Sequence, residues 1–226
     1  MKILAVDTAL GACSVAVLDE EAVLAHRFVA MARGHAEALA PMVEVAMAEA
    51  GVAFSDLDRL AVTTGPGTFT GQRVGLAFMR GMRIALARPL IGVTTLEVMA
   101  AAALGETDAQ AAAALHDARR GEVYLEAVTR DGPLLPVQVQ LFDDAIALMK
   151  PALSPFAKVA LAGTAAEASA EALRAAGVEC VVTSVVQPDA LWVARLARLA
   201  PETERPPRPL YLRPPDARLP ARPGGK

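Results

Sequence analysis

The chain has 226 residues, of which 54% are hydrophobic and 21% are charged, and its formal net charge is −3 with a pI near 5.7. This length suffices for one large domain or two small ones with a sizeable core. The acidic balance argues against a surface that coats nucleic acid in general, while it leaves room for a local basic patch.

The cysteines and the N-terminus indicate a cytoplasmic protein. Cys13 and Cys180 lie far apart in apolar stretches without metal-ligand spacing, so we interpret them as buried thiols in a reducing compartment. The first residues show no signal-peptide pattern, and no uncharged apolar run reaches the roughly 18 residues of a membrane span. We therefore expect a cytoplasmic protein without a membrane partner.

The first half of the chain predicts a mixed sheet flanked by helices. The predicted elements are strands at 3–7, 12–18 and 22–30, a helix at 34–50, a strand at 57–63, a helix at 70–88 and a strand at 90–93. The first three strands are joined by short turns and are expected to be antiparallel, whereas the fourth follows a helical crossover and is expected to be parallel. Thr94 and Glu97 form a capping box that opens another helix.

The second half repeats this pattern less clearly. Its predicted elements are strands at 111–116, 122–128 and 137–141, a helix at 143–150, a strand at 158–162, a helix at 165–176, a strand at 178–182 and a helix at 188–199. A turn is expected at 117–121, and a loop around Pro133 and Pro136. We expect domains at 1–104 and 105–200 and a proline-rich tail at 201–226, docked through 209–213, with a disordered end.

A glycine-rich stretch, Gly65–Gly75, lies between the fourth strand and the following helix. Such a loop can cradle an anion with backbone N–H groups. It lacks the Lys-Ser/Thr pair of a Walker A motif, and Thr70 stands where the dinucleotide fingerprint has its third glycine. Either the loop is structural, or it contacts a nucleotide. The residues of that nucleotide contact are Asp7, Thr8, Gly65 and Gly67.

The motifs of metal and nucleophilic catalysis are missing from the sequence. No two of His26, His35 and His116 are three or four residues apart, so no helix can present a histidine pair to a metal. No Gly-x-Ser-x-Gly elbow occurs, and Cys13 has no obvious activating base. The sequence therefore predicts no catalytic residue and no metal ligand.

The helix at 70–88 carries apolar residues almost all round, although a helix on a sheet needs only one apolar stripe. We interpret it as a protein–protein interface, with glycines that permit close approach and methionines that adapt to a partner. The predicted interface residues are Gly71, Arg73, Val74, Gly75, Phe78, Met79 and Met82. The alternative is a helix buried between two subdomains of the same chain.

Four stretches together resemble the TsaB (YeaZ) family. They are 3–16, which opens the chain, Gly65–Gly75, Asp117–Tyr124 and Pro209–Arg213. The second is similar to the family signature Gly-Pro-Gly-Ser-Phe-Thr-Gly-x-Arg-x-Gly, with Thr68 in place of serine. Farther along the helix, Gly81-Met82-Arg83 stands where the family usually has Gly-Leu-Ala.

The resemblance implies an α/β, actin-like (ASKHA) fold of two RNase H-like subdomains, each a mixed sheet with helices. It also implies a non-catalytic scaffold and dimerisation subunit of the complex that makes N6-threonylcarbamoyladenosine at position 37 of tRNA. The implied partners are a TsaD-type catalytic subunit, a TsaE-type ATPase, a second copy in a homodimer, and tRNA through the complex. No cofactor is implied for the chain alone, with ATP or ADP and Mg²⁺ at the complex interface. The alternative is an ATPase or peptidase of the actin-like superfamily.

Overall fold

Two five-stranded mixed sheets with flanking helices form the body of the molecule in this computed structural model, which describes residues 1–202 and 205–213. The first half contains β1 (Lys2–Asp7), β2 (Ala12–Asp19), β3 (Ala22–Ala30), α1 (His35–Ala50), β4 (Arg59–Thr63), α2 (Phe69–Leu86), β5 (Leu90–Val93) and α3 (Thr95–Glu106). The second contains β6 (Ala111–Arg119), β7 (Glu122–Thr129), β8 (Gly132–Leu141), α4 (Phe142–Leu153), β9 (Val159–Ala162), α5 (Ala166–Ala175), β10 (Cys180–Val182) and α6 (Ala190–Leu199).

Both sheets have the same strand order. The first runs β3-β2-β1-β4-β5 and the second β8-β7-β6-β9-β10. In each, the three consecutive strands are antiparallel, and the two that follow helices are parallel to the first strand. This duplication confirms the predicted actin-like class with two mixed α/β units.

The helices are exchanged between the two sheets. On the outer face of the first sheet, α1 and α2 pack against side chains such as Leu4 and Val62, while α4 and α5 cover the outer face of the second. The inner face of the first sheet packs against α6, from the other half of the chain, through residues such as Ile3 and Val193. Conversely, α3 packs against the inner face of the second sheet through Met99 and Ala112. The expected division at residues 104 and 105 stays a prediction, and these contacts couple its two parts.

Two local predictions were wrong. The residues expected to form a loop around Pro133 and Pro136 belong to β8, which is an edge strand, where a missing N–H is tolerated. The turn expected at 117–121 is shorter, because β6 continues to Arg119 and turns through positive φ angles at Arg119, Arg120 and Gly121.

The described part of the tail, 205–213, lies across both units. The Leu210 amide donates to the Thr64 carbonyl at 2.8 Å, and Arg213 Nη1 donates to the Ala118 carbonyl at 2.6 Å. The disorder expected for the end of the chain concerns residues outside the described ones. Among the described residues, no helix is long and apolar enough to cross a membrane.

Candidate functional site

The glycine-rich loop packs directly against the backbone that follows β1. The Thr68 amide donates to the Ala9 carbonyl at 2.8 Å. A Cβ atom at Gly67 would lie 2.3 Å from the Ala9 oxygen, and one at Gly71 would lie 2.2 Å from the Thr8 oxygen. These glycines therefore allow two stretches of the chain's own backbone to meet.

The hydroxyl of Thr8 fixes the start of α2 to the end of β1. It donates to the Gly71 carbonyl at 2.7 Å and accepts from the Gly75 amide at 3.0 Å, in buried surroundings. Nearby, the Gly65 carbonyl accepts from the Thr95 amide at 2.8 Å. Thr8 and Gly65, both predicted to contact a nucleotide, are thus buried and bonded within the chain.

Asp7, a member of the predicted nucleotide contact, has a buried side-chain oxygen without a partner. Its Oδ1 accepts from the Thr63 hydroxyl at 2.5 Å and from the Ala9 amide at 3.2 Å, while its buried Oδ2 lacks a partner. Burial raises the pKa of Asp7 to about 7, which disfavours the charged form that a Mg²⁺ ligand would need. Among the described residues, no three His, Cys, Asp or Glu side chains are grouped so that they could hold a metal ion.

The turn between β1 and β2 is closed by a side chain of the second half. The Gly11 amide donates to Gln187 Oε1 at 2.7 Å. The Gly11 amide and the glycine loop are therefore occupied by contacts within the chain, which does not favour a nucleotide there. The contact of Asp7, Thr8, Gly65 and Gly67 with a nucleotide stays a prediction.

Helix α2 begins where Thr68 caps it, since the Thr68 hydroxyl accepts from the Gly71 amide at 3.1 Å. One side of the helix faces the first sheet, where Leu76 and Met79 are buried in the core with residues of β1 and β4. Met79 has no exposed surface, so its predicted place at a partner interface is corrected. Gly71 and Gly75 contact Thr8 and do not present a surface to a partner either.

The outward side of α2 is exposed, which overturns the alternative that the helix is buried between two subdomains. Among the helices and strands it packs chiefly against α1, β1, β4 and β5, all in the first unit, and the tail segment 205–213 lies along it. Val74, Phe78 and Met82 are half-buried beside the core of that unit. Farther outward lie Ala77, Gly81, Ile84 and Ala85, all exposed, with Ile84 at 78%.

Arg73 joins α2 to the tail. Its guanidinium lies 3.4 Å from the centre of the Phe69 ring, and its Nε donates to the Tyr211 hydroxyl at 2.8 Å. The rings of Phe69 and Tyr211 stack with centroids 6.2 Å apart. The contribution of Tyr211 was missed, because the contact spans 138 positions of sequence. The one available signal was the apolar island of 210–212 within a proline-rich tail.

A second buried carboxyl lies between the two units. Glu126 of β7 hydrogen-bonds to the hydroxyl of Thr94, which caps α3. Burial raises the pKa of Glu126 to about 7, with a smaller contribution in the same direction from the charge of Glu97. Sequence reasoning assigned no role to Glu126.

The chain is similar to one protein-family model and to several curated proteins. A family model described as "TsaD: tRNA N6-adenosine threonylcarbamoyltransferase" matches residues 29–173. The tRNA threonylcarbamoyladenosine biosynthesis protein TsaB of Escherichia coli K12 is 41% identical over 131 residues, which are 58% of this chain and 56% of that protein. This match spans about half the length of the E. coli relative. An uncharacterized protein of Mycobacterium tuberculosis H37Rv is 33% identical, covering 96% of this chain and 93% of that protein.

Solved structures show the same similarity. YeaZ from Pseudomonas aeruginosa has a TM-score of 0.75 and 31% identity, covering 93% of this chain and 99% of that chain. A ROK hexokinase from Thermus thermophilus has a TM-score of 0.52 at 17% identity, covering 88% of this chain and 99% of that one. The second likeness concerns the fold alone.

Proposed function

Because the chain belongs to the TsaB (YeaZ) family, we propose that it is a scaffold and dimerisation subunit of the complex that makes N6-threonylcarbamoyladenosine in tRNA. In this proposal it acts in the cytoplasm, is itself non-catalytic, pairs with a TsaD-type subunit and recruits a TsaE-type ATPase. Threonylcarbamoyladenosine biosynthesis is part of the name of the E. coli relative, and is extended to this chain as a proposal.

The observation that carries the proposal is the exposed apolar side of α2, which we call the docking face. It consists of Val74, Ala77, Phe78, Gly81 and Ile84. Contiguous apolar surface on a monomer is typical of an interaction site. A Cβ atom at Gly81 would meet nothing within 4 Å, so the backbone of α2 is open to close approach by another helix.

The nature of the partner follows from the family model. A model of the TsaD family matches 29–173, a range that contains α2. A TsaD-type protein is therefore expected to carry a helix in the corresponding place. Two such helices can pair about an approximate two-fold axis, as related subunits commonly do. A second copy of this chain would use the same face in a homodimer.

Two features of the buried residues support the non-catalytic part of the proposal. Burial raises the pKa of the Cys13 thiol to about 11, which makes it a poor nucleophile near neutral pH. The glycine loop and Thr8 are committed to contacts within the chain. Neither supports the alternative of an ATPase or peptidase.

The test places a charge on the docking face. Ala77→Glu should weaken association with a co-expressed TsaD-type subunit at least about 30-fold, because covering a carboxylate with an apolar partner surface costs about 2–5 kcal/mol. Gly81→Leu should have a similar effect by blocking close approach. The measurement is size-exclusion chromatography with light scattering, followed by titration of the separated subunits.

Ala168→Glu is the matched control, since Ala168 is exposed on α5, on the second unit. It should leave association unchanged. Unaltered complex formation by Ala77→Glu and Gly81→Leu, with melting temperatures close to that of the wild type, would remove the docking face from the proposal.

Calorimetry with ATP and Mg²⁺ on the full chain tests the alternative. We expect no measurable heat of binding. Tight binding that Asp7→Asn abolishes would favour an ATPase, and the non-catalytic assignment would then be abandoned.

A further inference from the structure

Positive charge is concentrated on two segments of this acidic chain. Helix α2 contains three arginines and the segment 205–213 contains three more, and neither segment contains an aspartate or glutamate. The six residues are Arg73, Arg80, Arg83, Arg205, Arg208 and Arg213, of which Arg213 is ion-paired with Glu122 of β7. With a net charge of −3 for the whole chain, this distribution is strongly uneven.

Contacts hold the tail segment alongside α2. Arg80 donates to the Pro207 carbonyl through Nε at 3.1 Å and also through Nη2. Pro207 lies against β5, where a Cβ atom at Gly92 would meet it at 2.5 Å. The amide of Leu210 is bonded to the carbonyl of Thr64. Arg208 of the tail is thereby brought beside Arg80 and Arg83 of α2.

A concave site opens between the two segments. Its volume is about 280 Å³, and it is lined by Arg80, Arg83, Ile84, Pro206 and Arg208. We call this site and its continuation along α2 to Arg73 the arginine groove. Three of the five lining residues are arginines, and none is acidic.

The spacing of the arginines fits a chain of anions better than a single one. Arg73, Arg80 and Arg83 lie on one helix, and the separation of ten positions between the first and the last corresponds to roughly 15 Å of helix rise. One phosphate group cannot reach both ends of such a row, whereas successive phosphates of a nucleic acid can. Guanidinium groups also match phosphate in planar, bidentate geometry.

Exposed aromatic rings at one end of the groove favour RNA over an acidic protein surface. Phe69 is 61% exposed and Tyr211 49% exposed, and Arg73 lies against both rings. Aromatic and arginine side chains stack on unpaired bases, which single-stranded RNA presents. An acidic protein surface has no bases to stack on these rings.

We propose that the arginine groove binds the phosphate backbone of RNA. The identity of that RNA as tRNA rests on the proposed function. By the helical period, Arg80 and Arg83 of the groove border the tail while Val74 and Phe78 of the docking face border α1, and Ile84 lies where the two surfaces meet.

The experiment measures binding of an unmodified tRNA transcript to the full chain by fluorescence anisotropy, between 50 and 200 mM salt. The wild type should bind with micromolar affinity at the lower salt, in the range of sequence-independent binding. The double variant Arg83→Gln/Arg208→Gln should lower affinity at least tenfold and reduce the salt slope by about one to two. Arg27→Gln/Arg198→Gln is the matched control, since both arginines pair with glutamates elsewhere, and should change affinity less than twofold.

Several outcomes would contradict RNA binding by the arginine groove. They are no tRNA binding by the wild type at 50 mM salt, an unchanged affinity in Arg83→Gln/Arg208→Gln, and displacement of tRNA by millimolar inorganic phosphate or ATP, which would indicate a small-anion site. Loss of the TsaD-type partner with unchanged tRNA affinity would assign the groove to an acidic protein surface instead. If the chain binds tRNA through these arginines but fails to pair with a TsaD-type subunit, RNA binding by the groove is supported and the proposed scaffold function is contradicted.

Discussion

Helices α2 and α5 hold the same place in the two halves of the molecule, after the fourth strand of each sheet, and differ in length and exposed chemistry. Helix α5 has 10 residues, with Glu167, Glu171 and Arg174 on its polar side. Helix α2 has 18 residues, three arginines, no acid and an exposed apolar side. The architecture therefore needs only about three helical turns at this position, and the remainder of α2 is available for binding.

The turns before these two helices make the same close backbone contact in both halves. In the first half, Gly67 meets the Ala9 carbonyl, and in the second half Gly163 meets the Leu115 carbonyl, each so closely that a Cβ would lie within 2.3 Å. The second half has this contact without a glycine-rich loop. Close approach of the fourth strand's turn to the first strand is thus a requirement of the fold, and a glycine there is no sign of a phosphate site.

The largest expected difference between the two halves is in the pH dependence of stability. Strand β1 ends in the buried carboxyl of Asp7, whereas the corresponding strand β6 buries only alanine and leucine along 111–115. Burial raises the pKa of Asp7 from 3.8 to about 7, so the folded chain holds more protons than the unfolded chain between these values. Stability should therefore fall as pH rises through this window, by up to about 4 kcal/mol. Urea unfolding at pH 5 and pH 8 measures this slope.

Asp7→Asn should remove about half of the slope, because Glu126 also has a pKa raised to about 7 and contributes a similar slope over this range. Adding Glu126→Gln should lower the slope further. An identical slope in the wild type and in Asp7→Asn would contradict the burial of an acid at the end of β1.

Substitutions on the core-facing sides of α2 and α5 should lower stability by similar amounts, although the outward-facing sides of the two helices differ. Met79 and Leu173 are fully buried in the two outer cores. Met79→Ala and Leu173→Ala should each destabilise the fold by about 3 kcal/mol, because both leave a cavity. The measurement is the free energy of unfolding in urea, and a near-neutral Met79→Ala would return that side chain to the docking face.

Gly67→Ala and Gly163→Ala should each cost about 2 kcal/mol, because the added methyl group meets a backbone oxygen that cannot give way cheaply. The positive φ of 101° at Gly163 adds strain in the second half. Thermal unfolding compares the two variants. A Gly67→Ala protein that is as stable as the wild type would break the parallel between the two turns.

The smallest expected change in stability comes from a substitution on the docking face. Gly81→Ala should stabilise the isolated chain by up to about 1 kcal/mol, since alanine favours a helix and the space around Gly81 is open. The increase in melting temperature would show that Gly81 is not required by the fold of the single chain. A decrease would indicate that the α2 backbone is crowded there.

Most of the element order could be predicted, because it depends on local patterns. Periodicity located the strands of both sheets, and the Thr94 cap is confirmed by its bond from the Glu97 amide at 3.0 Å. The side of α2 that faces the sheet could not be predicted. Apolar residues occur all round this helix, and its rotation is set by the contact of Gly71 and Gly75 with Thr8.

The exchange of α3 and α6 was missed, although a signal existed. Helix α3 is apolar on every side, with eight of its twelve residues buried, which is typical of a helix in the middle of a molecule. Strand β8 was partly missed because proline weakens a strand prediction, while only the tertiary fold places Pro133 and Pro136 at a sheet edge. The contact of Tyr211 with Arg73 likewise depends on the path of the tail across both units.

The exchanged helices also determine what the chain exposes while it is being synthesised. The last strand of the first sheet ends at Val93, whereas α6, which covers the inner face of that sheet, begins at Ala190. At roughly 5–20 residues per second, a ribosome needs about 5–20 s to make the intervening chain. Through that interval Ile3, Ala61 and Ile91 lack the helix that covers them in the finished protein. Until α6 leaves the exit tunnel, the inner face of the first sheet is therefore apolar surface that chaperones can bind.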